Sequence, residues 1–181
     1  MKKKSAVFAA LGLLCLALFT LLQSRTPEAP QLSVHEIKTT EDLIYLENTE
    51  NFTEFAIEHI FLGTVNEDGK ASGYHYDGIE DSPGKIVEET RSEPDAFGVY
   101  TARVKVNGIG KAGNRGYSTF YPDAYTPQEV IDAVNEAYEN RVQVSGSLYA
   151  GLSEQGIEID MALDENGRII TAYPVKEEDR R

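Results

Sequence analysis

The sequence is poor in cysteine and in basic residues. The first shortage excludes a domain stabilised by disulfides, and the second argues against a general nucleic-acid-binding protein. Its one cysteine, Cys15, lies in an N-terminal apolar run, so the rest of the chain can form no internal disulfide. Lys and Arg number 17 against 30 Asp and Glu, which gives a formal net charge of −13. General nucleic-acid binding depends on cation–phosphate contacts, so the acidic balance argues against a protein that binds nucleic acid over its whole surface.

The N-terminus combines a basic start with a long uncharged segment. Lys2, Lys3 and Lys4 precede an uncharged run over residues 5–24, and Arg25 follows it. A run of this length is at the border between a membrane span and a signal peptide. The lysines orient the N-terminus towards the cytoplasm, which places the remainder of the chain across the membrane.

Two readings of residues 1–25 stay open, an uncleaved signal anchor and a removed signal peptide. We favour the anchor, because no small-x-small cleavage site stands out and Cys15 follows the large Leu14 where a lipoprotein site has a small residue. The protein is therefore expected to be exported. It would be attached to the membrane through residues 5–24, or secreted if the segment is cleaved.

The remaining chain is long enough for one domain, predicted over residues 52–175. Residues 26–51 are predicted to be a linker and a short helical lead-in, in which Thr39 or Thr40 caps a helical turn. Residues 176–181 form a charged tail. His35, near the linker, is interpreted as a solvated residue.

Two of the three histidines, His59 and His75, are sixteen residues apart around a turn rich in Gly and Asn. Thr53 is predicted to cap a helix that carries His59, and the phrase around His75 is predicted to be a strand. A short connection would bring both imidazoles near each other, where one can accept and the other donate a proton close to neutral pH. Two structural or surface histidines are the alternative, and the spacing alone favours that alternative.

The middle of the chain is predicted to contain a loop and a hairpin. Residues 77–98 are acidic, contain two prolines and lack a sustained period, so they predict a long loop. Residues 99–106 alternate between apolar and polar side chains, and residues 116–121 follow a Gly-rich turn as a second strand. The hairpin carries three cations on or beside its tip: Lys105, Lys111 and Arg115.

The second half combines one helix with several strands. Thr126, Pro127 and Glu129 form a capping box with proline at the first helical position. Strands are predicted over residues 142–144, 147–149, 156–163 and 168–175, the last two joined by a tight Asn-Gly turn. The predicted fold class is α+β, with N-terminal helices followed by antiparallel hairpins that form small sheets against the capped helix.

Three phrases together resemble the bacterial branch of the EndoU family, the uridylate-preferring endoribonucleases. They are EHIFLGTVNEDGKASGYHYDG, GYSTFYPDAYTPQEVIDAVNEAYEN and GIEIDMALDENGRIITAYPV. The same domain type occurs in contact-dependent toxins and in a viral endoribonuclease. The resemblance covers about residues 52–175 and implies an EndoU-like fold with RNA as the substrate.

The resemblance also implies roles for individual residues. It places the family's catalytic histidines on His59 and His75, and its catalytic lysine best on Lys111, with Arg115 and Lys105 as the alternatives. Substrate-binding roles fall on two phrases: Ser118 and Thr119 in YSTFYP, and Thr171 and Tyr173 in TAYP.

The implied reaction is attack of the ribose 2′-hydroxyl on the adjacent phosphate, which leaves a 2′,3′-cyclic phosphate. It needs a base, an acid and a cation, and two histidines with a lysine supply them. The resemblance implies no required cofactor, leaves stimulation by Mn²⁺ open, and suggests an immunity or inhibitor protein as a partner. Residues 26–181 hold 13 basic and 30 acidic residues, a charge of −17, so RNA affinity must come from a local basic cluster.

Two other functions remain as alternatives. One is a catalytically inactive EndoU-like binding module on the outer side of the membrane. The other is a two-histidine metal hydrolase, for which the sequence offers no third ligand.

Overall fold

The structure is a computed structural model that describes residues 35–180. The predicted signal segment, residues 1–25, lies outside the described residues, as does most of the predicted linker. Within residues 35–180, no helix combines the length and the apolar character needed to cross a bilayer.

The described residues form two α-helices and ten strands, and the predicted α+β class is confirmed. The helices are α1 (Glu54–Phe61) and α2 (Pro127–Glu139). The strands are β1 (Thr64–Val65), β2 (Ala71–Ser72), β3 (Gly84–Val87), β4 (Tyr100–Val106), β5 (Ile109–Gly110), β6 (Tyr117–Phe120), β7 (Val142–Ser145), β8 (Leu148–Leu152), β9 (Glu158–Leu163) and β10 (Ile169–Pro174). Short 3-10 helices span Glu41–Tyr45, Glu88–Thr90, Asn114–Gly116 and Glu177–Asp179.

The strands are arranged in three antiparallel sheets. In the central sheet, β3 pairs with one edge of β4, while β5 and β6 pair with successive parts of its other edge. The C-terminal sheet has the order β10-β9-β8-β7. β1 and β2 form a small separate hairpin. The predicted hairpin of the middle of the chain is confirmed in the central sheet, and the predicted hairpins of the second half are confirmed in the C-terminal sheet.

Both predicted helix caps are confirmed. The Thr53 hydroxyl accepts a hydrogen bond from the Ala56 amide at 3.1 Å. At the start of α2, the Glu129 amide donates to the Thr126 hydroxyl, and the Thr126 amide donates to the Glu129 carboxylate. These bonds satisfy amide groups that a helix end leaves unpaired.

The predicted helical turn of the lead-in is the 3-10 helix Glu41–Tyr45, and Thr40 occupies its N-cap position, but the Thr40 side chain makes no capping hydrogen bond. Instead the Asp42 carboxylate accepts hydrogen bonds from the backbone amides of Lys38 and Thr39, and it also binds the ring of His35. A carboxylate is the stronger acceptor for backbone amides, since the bond is charge-assisted.

The prediction of a continuous loop over residues 77–98 is also wrong. β3 lies in this segment and pairs with β4 along four positions, from Gly84 opposite Val106 to Val87 opposite Arg103. A Cβ atom on Gly84 would lie only 2.2 Å from the ring of Tyr74, so the strand can pack here because residue 84 has no side chain. This partnership is not local in sequence, which is why the acidic, proline-containing pattern did not reveal it.

The predicted strand around His75 is wrong as well. β2 ends at Ser72, and Tyr74 has the left-handed φ of 64°. The amides of Tyr74 and His75 donate to the carbonyls of His59 and Ile60, each at 2.8 Å. The segment is therefore bound to the end of α1, which holds the two histidines at a short distance.

The apolar interior consists of two clusters of unequal size. The larger lies among α1, α2 and the C-terminal sheet, where Gly151 allows close packing because a Cβ atom there would lie 2.0 Å from the Ala137 carbonyl. The smaller lies in the central sheet and consists of Tyr74, Tyr100, Ala102, Val104 and Phe120.

Candidate active site

His59 occupies the last turn of α1 and faces the irregular segment that follows β2. Its Nδ1 is 3.2 Å from the Thr64 hydroxyl. Gly73, at a φ of 77°, packs directly against it. A Cβ atom on this glycine would lie 2.3 Å from the His59 carbonyl oxygen and 2.9 Å from its ring. Residue 73 must therefore be glycine for the imidazole to lie where it does.

His75 is only 4% exposed and is held by β6. Its Nδ1 is 2.8 Å from the Thr119 carbonyl oxygen, and the Tyr121 amide donates to the His75 carbonyl. A carbonyl oxygen only accepts, so Nδ1 carries the hydrogen and Nε2 is the nitrogen that can accept or deliver a proton. The centroids of the His59 and His75 rings are 6.1 Å apart, which is the proximity that the short connection predicts.

Lys111 follows β5 and reaches the same place from the central sheet. Its Nζ donates to the Ser118 hydroxyl at 2.7 Å, and that hydroxyl donates to the Gly73 carbonyl at 2.8 Å. This chain of hydrogen bonds ties the ammonium to the backbone beside the histidines. The Ser118 hydroxyl, predicted to contact substrate, is used within the protein to hold Lys111.

The C-terminal sheet contributes Thr171 and Tyr173 from β10. The Tyr173 ring stacks on the His75 ring at a centroid distance of 5.4 Å and an interplanar angle of 23°. The Thr171 hydroxyl is buried and has no hydrogen-bond partner within residues 35–180. An unsatisfied buried hydroxyl is uncommon, and at a cleft it is a site for a ligand hydrogen bond.

These side chains line one cleft of about 340 Å³. The structure brings all seven of the predicted site residues to it: His59, His75, Lys111, Ser118, Thr119, Thr171 and Tyr173. Of the three candidate cations only Lys111 lines the cleft, while Lys105 and Arg115 lie on an adjacent surface. The roles of these residues remain predictions.

Sequence reasoning missed five further residues of the lining: Ser72, Gly73, Gly113, Asn114 and Tyr117. Tyr117 lies in the same phrase as Ser118 and Thr119, so it could have been included with them. Gly113 and Asn114 belong to the turn before β6, whose backbone conformation the sequence did not indicate. Asn114 and Arg115 both have positive φ in this turn.

The electrostatics of the cleft favour neutral imidazoles. Burial, followed by the nearby charge of Lys111, lowers the pKa of His59 to about 4. The same two causes hold the pKa of His75 well below its usual value. Burial also lowers the pKa of Lys111, to about 8. At neutral pH the cleft therefore contains two imidazoles able to accept protons beside a mostly charged ammonium.

An anionic ligand would raise the pKa values of the two histidines. A phosphate near the rings favours their protonated forms, so one histidine can act as an acid once substrate is bound. The cleft thus offers a proton acceptor, a proton donor and a fixed cation. These are the groups that phosphodiester cleavage requires.

A metal site does not fit the residues of the cleft as well. Across residues 35–180, no three His, Cys, Asp or Glu side chains are grouped closely enough to share an ion. His35 is exposed and binds Asp42, away from the pair. The metal-hydrolase alternative therefore finds no third ligand in the described part of the chain, and the effect of Mn²⁺ stays a prediction.

Comparison with known proteins gave two matches. The sequence profile described as "Bacterial EndoU nuclease" matches residues 53–176. A curated relative from Bacillus cereus, named "Toxin", is 45% identical over 131 residues, which are 72% of this chain and 24% of the relative. The chain thus spans about a quarter of the length of that relative. No solved structure matches the chain.

Proposed function

Because this chain belongs to the bacterial EndoU nuclease family, we propose that it is an endoribonuclease that cleaves RNA with a preference for uridylate. The observation that carries the proposal is the convergence of His59, His75 and Lys111 in one cleft. These residues come from three different segments, and the proposal gives them the roles of base, acid and cation. A stabilising role alone would not require two buried imidazoles beside an ammonium that lowers their pKa values.

The proposed reaction begins when His59 removes the proton of the ribose 2′-hydroxyl. The 2′-oxygen attacks the adjacent phosphorus, and the Lys111 ammonium stabilises the negative charge that develops on the phosphoryl oxygens. His75, protonated in the complex, donates its proton to the departing 5′-oxygen. The products are a 2′,3′-cyclic phosphate and a 5′-hydroxyl, and one proton has moved from one histidine to the other.

The assignment of His59 as the base and His75 as the acid could be reversed, and a modified substrate tests which assignment is correct. A substrate with sulfur at the bridging 5′ position has a leaving group that needs no acid. If His75 is the acid, His75→Ala regains activity on this substrate and His59→Ala does not. The reverse pattern would exchange the two roles.

The uridylate preference rests on Thr171 and Tyr173. The unpartnered Thr171 hydroxyl can donate to a carbonyl or accept from the N3–H of uracil. The Tyr173 ring lines the cleft, where a base can pack against it. Thr171→Val, which keeps the shape and removes the hydroxyl, should reduce the preference for uridine over cytidine.

The central experiment uses the purified chain and an oligonucleotide with a single ribouridine among deoxynucleotides. Cleavage should occur after the uridine, leave a cyclic phosphate, persist with chelator and disappear when the 2′-hydroxyl is absent. His59→Ala and His75→Ala should each lower kcat/KM by about 10²–10⁴. His35→Ala, the third histidine, is the matched control and should leave the rate unchanged.

Other outcomes of this experiment favour the alternatives. No cleavage under any condition, with retained binding of the oligonucleotide, would favour the inactive binding module. Cleavage that chelator abolishes would favour a metal hydrolase.

The toxin role is a separate part of the proposal, supported by the relative named "Toxin". We expect the chain without residues 1–25, expressed in the bacterial cytoplasm, to stop growth, His75→Ala to remove this effect, and an immunity protein to bind the wild-type chain. Export and membrane attachment through residues 5–24 stay predictions, and cell fractionation with protease protection tests them.

A further inference from the structure

A second groove lies beside the cleft, on the outer face of the central sheet. Its volume is about 390 Å³. The cationic groove is defined here by its four charged residues, Arg103, Lys105, Lys111 and Arg115. No Asp or Glu is among the described residues that line it. This is an unusual surface for a chain with 30 acidic and 17 basic residues.

The strand alternation of β4 creates this surface. Arg103 and Lys105 are exposed on one face, whereas Ala102, Val104 and Val106 are buried on the other. β3 places Lys85 directly opposite Lys105. Like charges at directly opposed positions of an antiparallel sheet destabilise it, so the sheet carries an arrangement that stability does not favour.

The cations of the groove also form no ion pairs. Within residues 35–180, none of its four charged residues lies within ion-pair distance of a carboxylate. Five basic residues elsewhere each pair with a carboxylate: Lys38, Lys70, Arg91, Arg168 and Lys176. Two others, Arg141 and Arg180, lie over aromatic rings instead. The groove combines four cations with no carboxylate in its lining, which points to an external anion.

The cationic groove is continuous with the cleft. Lys111 lines both, and Tyr117, which lines the cleft, lies beneath the Arg103 guanidinium at 5.3 Å from the ring centroid. An RNA strand whose scissile phosphate lies at Lys111 would therefore extend its neighbouring phosphates towards Arg103, Lys105 and Arg115.

We propose that the cationic groove is a phosphate-binding subsite for the nucleotides next to the scissile uridylate, and that the substrate is single-stranded RNA longer than a dinucleotide. This inference rests on the proposed function. Arg103, Lys105 and Arg115 contact the backbone of flanking nucleotides and carry no base preference. These three residues provide a local RNA-binding surface on a protein whose net charge is negative.

The test compares a uridine-containing dinucleotide with a ten-nucleotide RNA of one uridine. A triple variant, Arg103→Gln with Lys105→Gln and Arg115→Gln, should lower kcat/KM for the longer RNA at least tenfold and change the dinucleotide rate less than twofold. The slope of log kcat/KM against log salt concentration should become shallower by about 2 for the longer RNA, since each phosphate contact on single strands contributes about 0.7.

The matched control removes three cations from elsewhere, with Lys38→Gln, Lys70→Gln and Arg168→Gln. It should leave both substrates and the salt slope unchanged, and thermal unfolding checks that both triple variants fold. Equal losses on the two substrates, or no loss on either, would overturn the inference.

Binding separates this inference from the proposed function. A ten-nucleotide strand with 2′-deoxyuridine resists cleavage by 2′-hydroxyl attack, so its affinity reports binding without turnover. The inference predicts that the wild-type chain and the control bind this strand equally, and that the groove variant binds it at least tenfold more weakly. This result would support the phosphate-binding subsite even if no RNA is cleaved. Unchanged affinity in the groove variant would overturn it.

Discussion

The central sheet and the C-terminal sheet have similar numbers of strands and very different surroundings. The C-terminal sheet packs against α2 over the larger apolar cluster, with a capping box at the helix start. The central sheet has the smaller cluster on one side and unpaired cations on the other. The packing of the C-terminal sheet stabilises the fold. The four residues of the cationic groove form no stabilising ion pair within residues 35–180, so they call for another explanation.

The cleft lies where these two sheets meet, because β6 and β10 are in contact. The central sheet supplies Lys111, Ser118 and Thr119, while the C-terminal sheet supplies Thr171 and Tyr173. The two halves divide the proposed chemistry: the proposed base, His59, lies on α1 beside the larger apolar cluster, and the proposed cation, Lys111, comes from the central sheet. Four experiments can break or sharpen this division.

The largest effect is expected from Lys111→Ala. Loss of the cation should lower kcat/KM for a uridine-containing RNA by about 10²–10³, since a fixed charge at the transition state contributes this much. Thermal unfolding should show a folded protein, and Lys176→Ala should behave as the wild type. Full activity of Lys111→Ala would break the assignment of chemistry to the central sheet.

A core substitution in the other half should have the opposite profile. Ile131 on α2 is fully buried, and Ile131→Ala should cost about 3 kcal/mol of unfolding free energy through lost burial and the cavity it leaves. Denaturant unfolding measures this cost. The fraction that remains folded should keep the wild-type kcat, and a strongly reduced kcat would show that the two halves are not separable.

The third prediction concerns pH. Because the pKa of Lys111 is lowered to about 8, its charge is present below this pH and is lost as the pH rises through it. Affinity for the 2′-deoxyuridine oligonucleotide should therefore fall, by up to about tenfold between pH 7 and pH 9. Lys111→Arg keeps its charge over this range and should bind with a flat profile. Equal profiles for both proteins would remove Lys111 from phosphate binding.

The smallest effects are expected at the two helix caps. Thr126→Ala and Thr53→Ala should each cost about 1 kcal/mol of stability in denaturant unfolding. Only Thr53→Ala should also lower kcat/KM, because α1 carries His59 and α2 carries no residue of the cleft. Equal kinetic effects would show that the caps act on the whole domain rather than on their own helices.

Several features were predictable because their signals are local. The caps at Thr53 and Thr126, the Asn-Gly hairpin between β9 and β10 and the alternation of β4 depend on residues within a few positions of one another. The α+β class follows from them, and the resemblance to the EndoU family is borne out by the profile match. The approach of His59 to His75 was predictable because one turn connects their two segments, although the residues are sixteen positions apart.

Other features depend on backbone pairing with a different segment and were missed or wrong. β3 exists because β4 pairs with it, and its own pattern is that of a loop. The His75 segment bonds to the end of α1 instead of joining a sheet. The position of Lys111 depends on an isolated bridge to Ala71, forty residues earlier, so spacing alone could not choose it over Arg115 or Lys105.

By itself the sequence determined the two capped helices, the hairpins, the fold class and the residue types available for chemistry, because caps, turns and periodicity act between near neighbours. Tertiary structure alone decided that seven side chains share one cleft, that one of three cations enters it, and that the others form a groove beside it. The lowered pKa values of His59, His75 and Lys111 are also decided there, since burial of a charge is created by the packing of distant segments.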